Sequence, residues 1–271
     1  MDTIGKSRTR LFIGLWTGFV VVALYLPIVC GALAGLSRGR YFGFPVRAFS
    51  FEWWDRTLAS LEIRALVMNS VTIALSVTVL SVLFAFFGAL AFARYDWKGR
   101  RFFQRLIMLP LFFPQPVLGL ALLLWFNALG IAPDWKTAVV AHLVWIVPVV
   151  TLVVAIQVYS FDPVLEEAAS DLGAGRLTIL KEVTLPILWP GIWSGALFAF
   201  LLSWGNFPLS LYTAGADPTI PKWLYSKMVA GYTPMVPALG TMSTLAAATL
   251  LLAGGFALWL VRRRRAREAA A

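Results

Sequence analysis

Charged residues are absent from six long stretches of the chain: 11–37, 65–93, 106–133, 137–161, 183–216 and 228–261. Their lengths are 27, 29, 28, 25, 34 and 34 residues. A helix needs about 20 apolar residues to cross roughly 30 Å of hydrocarbon, and every stretch exceeds that. The other gaps between charges are too short to span. The pattern predicts an all-α integral membrane protein with six transmembrane helices, near 11–34, 66–93, 106–128, 137–159, 190–213 and 236–261, forming one domain over residues 1–271. A barrel would need segments of about ten residues alternating apolar and polar. Runs such as Leu118-Gly119-Leu120-Ala121-Leu122-Leu123-Leu124 do not alternate. The first stretch outruns the apolar core of about 7–15 residues expected of a cleaved signal peptide, so it reads as a retained anchor.

Composition agrees with a lipid-facing surface. Of 271 residues, 60% are hydrophobic and 13% charged, about half the charged share of a soluble domain. One cysteine, Cys30, excludes an internal disulfide framework, and one histidine, His142, excludes a two-histidine zinc motif or bis-histidine haem within the chain. The net charge of +10 follows membrane topology. With the N-terminus inside, cytoplasmic segments hold fifteen Lys and Arg: three in the N-terminal tail, five around 94–105, two in 162–182 and five in the C-terminal tail. Outside segments hold eight. The positive-inside rule therefore predicts that both termini are cytoplasmic. On that reading the run Arg262-Arg263-Arg264-Arg265-Ala266-Arg267 is a topology anchor on anionic lipid, not a nucleic-acid patch. Phe51, Trp53 and Trp54, followed by Asp55, Arg56, Glu62 and Arg64, suggest a helix lying in the interface with its tryptophans at headgroup level.

The loop 161–186 has internal organisation. Asp162-Pro163 supplies a capping acceptor and a proline suited to a first helical position. Val164, Leu165, Ala168, Ala169 and Leu172 recur at helical spacing as one apolar stripe, with Glu166, Glu167 and Ser170 off it. Gly173 stands where a left-handed residue would end the helix. About ten residues make a helix of roughly 15 Å, too short to span and marginal alone in water. It must pack either on the protein's own helix ends or in a partner's groove.

Glu167-Ala168-Ala169, then Gly173, then Val183-Thr184-Leu185-Pro186 resembles the EAA loop of importer-type ABC permeases, the binding-protein-dependent inner-membrane components. Val183 stands where that family usually has isoleucine. Pro110-Leu111-Phe112-Phe113-Pro114-Gln115-Pro116-Val117-Leu118-Gly119 resembles the third span of spermidine and putrescine permeases, and Thr213-Ala214-Gly215 with Trp223-Leu224-Tyr225-Ser226 resembles their last outside loop. The resemblance covers about residues 65–260. It implies a type I ABC importer permease fold in a bacterial inner membrane. Glu167, Ala168, Ala169, Leu172 and Gly173 would form a coupling helix docked on a cytoplasmic ATPase. Its implied partners are a pair of ATPase subunits holding ATP and Mg, a second, related permease chain and an extracytoplasmic solute-binding protein. The chain itself has no G-x-x-x-x-G-K-[ST] phosphate loop and no implied cofactor.

Pro110, Pro114 and Pro116 interrupt the third span and free backbone carbonyls that need partners or a wet cavity. Gln115, Ser203, Trp204, Asn206 and Ser210 are candidate pathway residues, and His142 reads as an interhelical hydrogen-bonding group or a kink repair. Polyamine permeases typically place acidic residues near the position of Ser203-Trp204-Gly205-Asn206-Phe207, where this chain has none. Counter-charges for a polycation would then come from the partner permease, and a neutral or anionic solute also fits. Two other classes compete. An intramembrane hydrolase would use Ser194, set between Gly191 and Gly195, with His142 as base. A channel or secondary transporter would usually carry intramembrane acids, which these spans lack.

Overall fold

A computed structural model describes residues 2–39, 43, 45, 46 and 48–268. The side chains of Lys6, Arg8, Arg40, Arg47 and, in the arginine run, all but Arg263 lie outside those described. In chain order the helices are α1 (Asp2–Gly35), α2 (Glu52–Ala59), α3 (Leu61–Ala89), α4 (Arg100–Met108), α5 (Gln115–Ala128), α6 (Trp135–Tyr159), α7 (Val164–Asp171), α8 (Arg176–Ile179), α9 (Leu185–Trp204), α10 (Phe207–Thr213), α11 (Ile220–Ala230) and α12 (Met235–Glu268). Short π-helical turns at Leu90–Arg94 and Leu180–Thr184 extend α3 and join α8 to α9. Five segments are long and apolar enough to cross a membrane unbroken: Thr9–Gly35, Leu61–Arg94, Trp135–Tyr159, Arg176–Trp204 and Met235–Val261.

The third expected span differs. Arg100–Phe112 and Gln115–Ala128 meet at 103° and make a sixth crossing only if counted together. Proline is the cause. Leu109–Phe112 tightens to a 3-10 turn, and Phe113, placed before Pro114, is driven to extended backbone with ψ 135. The fifth span also breaks. Helix α9 stops at Trp204, Gly205 intervenes, and Asn206 starts α10 by accepting the Leu209 N–H at 3.1 Å. The expected 190–213 helix is thus two helices, with the first beginning earlier.

By internal contacts the chain resolves into two compact units. In the first, residues 1–64 and 224–246, Gly35 lets α1 pass the backbone of Pro237 and Ala238, where an added Cβ would lie 3.0 Å from Ala238 Cα. There the expected tryptophan-bearing helix is α2, tied by an Arg56–Glu52 ion pair at 2.6 Å with Arg56 over the Trp53 ring.

The second unit, residues 65–223 and 247–271, is organised on α6. A capping box starts this helix: the Asp134 carboxylate accepts from the Lys136 and Thr137 N–H groups, and Thr137 Oγ1 accepts from the Asp134 N–H. Twelve of its 25 residues are buried, so α6 is the central stave. Ile146, Val150 and Val154 of α6 meet Ile73 and Val77 of α3 and Leu188 and Ile192 of α9 in one apolar core. Gly191 and Gly195 let α9 close on α6, since added Cβ atoms would sit 2.8 Å from Gln157 Cβ and 2.9 Å from Val150 Cγ1.

Candidate functional site

The loop after α6 leaves the core at Phe161 and forms α7. Asp162 Oδ1 accepts the Val164 N–H at 3.0 Å. At the other end the Gly173 N–H donates to the Ser170 carbonyl and the Ala174 N–H to the Ala169 carbonyl, with Gly173 at φ 85. That pair of bonds is a Schellman motif, the stop expected of a left-handed glycine. The apolar stripe is uncovered: Val164, Leu165 and Leu172 are 59%, 50% and 89% exposed. Glu167 and Ala168 are exposed with it, and Ala169 is half-buried.

The face that turns inward is the one bearing Glu166. Its Oε2 accepts from Arg94 Nη2 at 2.5 Å and Nε at 3.2 Å, while Oε1 accepts from Thr184 Oγ1 at 2.5 Å. The Arg94 guanidinium also lies 5.1 Å over the Phe161 ring. Sequence reasoning had no role for Glu166, Arg94 or Thr184.

A second polar group sits inside the helices. His142 on α6 is buried, with Nδ1 2.9 Å from Ser203 Oγ and Nε2 3.0 Å from Ser210 Oγ. A neutral imidazole donates through one ring nitrogen and accepts through the other. His142 therefore ties α6 to both sides of the break at Gly205–Asn206. Nearer the start of α6, Thr137 Oγ1 donates to the Thr213 carbonyl at 2.6 Å, and the Trp135 N–H donates to Asp217 Oδ2 at 2.9 Å. Lys222 Nζ donates to the Gly215 carbonyl. Partial burial lowers the Lys222 pKa from its usual value, and the Asp217 charge opposes that shift.

Among the candidate pathway residues, Ser203 and Ser210 meet on His142, and Asn206 caps α10. Trp204 is half-buried and stacks on Phe200 at 5.7 Å. Gln115 is half-buried in the first turn of α5. One turn later Gly119 packs on α10, where a Cβ would lie 3.0 Å from the Tyr212 ring and 3.1 Å from the Pro208 carbonyl. Ser194 donates to the Pro190 carbonyl of its own helix at 2.8 Å, and both His142 nitrogens are held by other serines. A Ser194–His142 pair for hydrolysis is not assembled.

Broken apolar spans around a neutral polar seam, with a short amphipathic helix offered outside them, define a polytopic membrane protein equipped to engage a partner. Residues 78–265 match the family model described as the binding-protein-dependent transport system inner membrane component, and the chain belongs to that family. It is 30% identical to the spermidine/putrescine transport system permease protein PotC of Haemophilus influenzae, over 86% of this chain and 91% of that one. Its fold is similar to a chain of a bacterial ABC transporter involved in the import of the acidic polysaccharide alginate. The TM-score there is 0.72 at 20% identity, covering 93% of this chain and 97% of that one. A chain of a bacterial alginate ABC transporter in complex with an alginate pentasaccharide-bound periplasmic protein is also similar, at TM-score 0.65 and 16% identity over 92% and 93%. The chain is a permease subunit of an ABC importer in a bacterial inner membrane, and its family is one of transport subunits.

Proposed function

We propose that this permease conveys a polyamine-like or other small organic solute, and that α7 is the coupling helix docked on a separate ATPase. The observation that carries the docking reading is the uncovered stripe of Val164, Leu165 and Leu172 on an eight-residue helix bearing Glu166, Glu167 and Asp171. Such a helix is too short to span and too charged to lie in hydrocarbon, so a protein groove is the cover that suits it. Glu167 would meet a basic side chain of that groove, and Ala168 and Ala169 would permit close approach. The polyamine-like solute is supported by the resemblance to PotC. No carboxylate lies in the charge-free spans, so a polycation would draw its counter-charges from a second, related permease chain. Residues 1–271 would act as one permease domain with both termini in the cytoplasm. Gln115, Ser203, Trp204, Asn206 and Ser210 would line or shape the path at the breaks in the third and fifth spans. ATP and Mg would be held by a pair of ATPase subunits, and solute would arrive on an extracytoplasmic binding protein.

The complete transporter in proteoliposomes tests this reading. Labelled spermidine is expected to enter only with ATP inside and binding protein outside. Gly173→Pro, which cannot adopt the φ of 85 found there, should leave the chain in the membrane and abolish ATP-driven uptake. Normal uptake by that variant would remove the docking assignment. Uptake of a neutral competitor in preference to spermidine would remove the polyamine one.

A further inference from the structure

Glu166 occupies the point where four elements meet. Arg94 closes the π-helical turn that ends the second span, and Thr184 closes the π-helical turn that opens the fifth. Phe161 follows the end of α6 and lies under the Arg94 guanidinium. Among the described residues of α7, Glu166 is the one whose side chain is hydrogen-bonded to the membrane helices, one oxygen to each π turn. The ion pair is largely shielded, with side-chain exposures of 14% for Arg94 and 22% for Glu166.

Both turns are π-helical, a form uncommon in helices and frequent at functional positions. Loss of regular i→i−4 bonding makes such a turn the natural place for a helix to bend. The first of them ends its helix, and the carbonyls left over there are capped by the segment that follows. Those at Ala91, Phe92 and Ala93 accept from Trp97 Nε1, from Arg100 Nε and Gln104 Nε2, and from Arg100 Nη2. Beside the pair lies a half-open cleft of about 460 Å³, lined by Tyr95, Glu166, Arg176, Ile179, Leu180 and Thr184. Free volume there lets the joint flex without repacking a close-packed core. Apolar contact alone is non-directional and would let α7 slide, whereas charge-assisted hydrogen bonds fix direction as well as distance.

We propose that Glu166 is a positioning residue for coupling: through Arg94 and Thr184 it transmits displacement of α7 to the second and fifth spans together, bending them at their π turns. This rests on the docking reading of α7 but concerns the opposite face of that helix. A variant at Glu166 keeps the docking stripe, so the ATPase stays bound while its motion no longer reaches the spans.

The experiment compares wild type, Glu166→Ala, Arg94→Ala and the exchanged pair Arg94→Glu with Glu166→Arg in the complete transporter in proteoliposomes. Retention of the ATPase on purification, ATP hydrolysis and solute uptake are read in each. Both single variants are expected to retain the ATPase and hydrolyse ATP near the wild-type rate, with uptake per ATP reduced roughly tenfold, inside the usual range for coupling between sites. The exchanged pair should recover most of that loss by re-forming the ion pair, and retained ATPase binding and hydrolysis beside lost uptake per ATP is the split that a merely structural role would not produce. Uptake per ATP by Glu166→Ala within about twofold of wild type would overturn the proposal, as would release of the ATPase by that variant. Should Glu166→Ala fail to accumulate, Glu166→Gln, equal in length but uncharged, decides by the same criterion. A wild-type preparation without bound ATPase would instead defeat the docking reading itself.

Discussion

Two polar groupings in residues 65–223 hold helices together by opposite means. The seam of His142, Ser203 and Ser210 is buried and built from groups that need carry no charge. The clamp of Arg94, Glu166 and Thr184 is charged and partly reachable by water. The difference follows from what each would cost. A full charge deep among apolar helices is expensive, so intramembrane fixing favours hydroxyl–imidazole pairs and backbone carbonyls. A partly solvated pair keeps directional strength without the whole desolvation cost. The seam therefore suits a scaffold that keeps one geometry, and the clamp suits a joint that moves as a unit.

Breaking the scaffold should cost more stability than touching the joint's outer face. The largest effect is expected at Gly215, where φ is 53 and an added Cβ would fall 1.9 Å from the Pro133 carbonyl oxygen. Gly215→Ala must shift backbone and should cost about 3 kcal/mol, seen as a lowered unfolding midpoint of the detergent-solubilised chain. His142→Ala comes next, at about 2 kcal/mol, because it strands two buried hydroxyls. The comparison sharpens if His142→Leu combined with Ser203→Ala and Ser210→Ala recovers most of that loss, since removing all partners leaves nothing unsatisfied. His142→Leu alone keeps the volume and strands both hydroxyls, so a small loss in that variant would mean that volume, not hydrogen bonding, holds α6 to the break. At the small end, Leu172→Ser on the exposed stripe should move the midpoint by no more than about 0.5 kcal/mol equivalent while weakening co-purification of the ATPase. A large stability loss there would show that the stripe is covered by this chain.

Helix α7 was legible because its signals are local. Asp162, the 3.6-residue spacing of Val164, Leu165, Ala168 and Leu172, and Gly173 all act within one segment, and the structure uses Asp162 and Gly173 as capping chemistry requires. Only one of its two faces was readable. The stripe said which side was apolar, yet an apolar side covers itself or awaits a partner with equal grammar. What turned the Glu166 side inward was Arg94, 72 residues earlier. Likewise the break in the third span is proline chemistry read at its own position, whereas its bend of 103° and the close packing of α5 on α10 at Gly119 were not. Ser203 and Ser210 could be picked out as polar residues in an apolar span. That they share one histidine, 61 and 68 residues distant, could not.

The sequence by itself determined the number of apolar segments, the places where proline and glycine interrupt them and the helix that cannot remain alone in water. Those properties depend on transfer free energy and backbone sterics, which act residue by residue. Tertiary structure decided which polar atoms became partners and which face of α7 stayed open, because each depends on groups far apart in the chain arriving at one point.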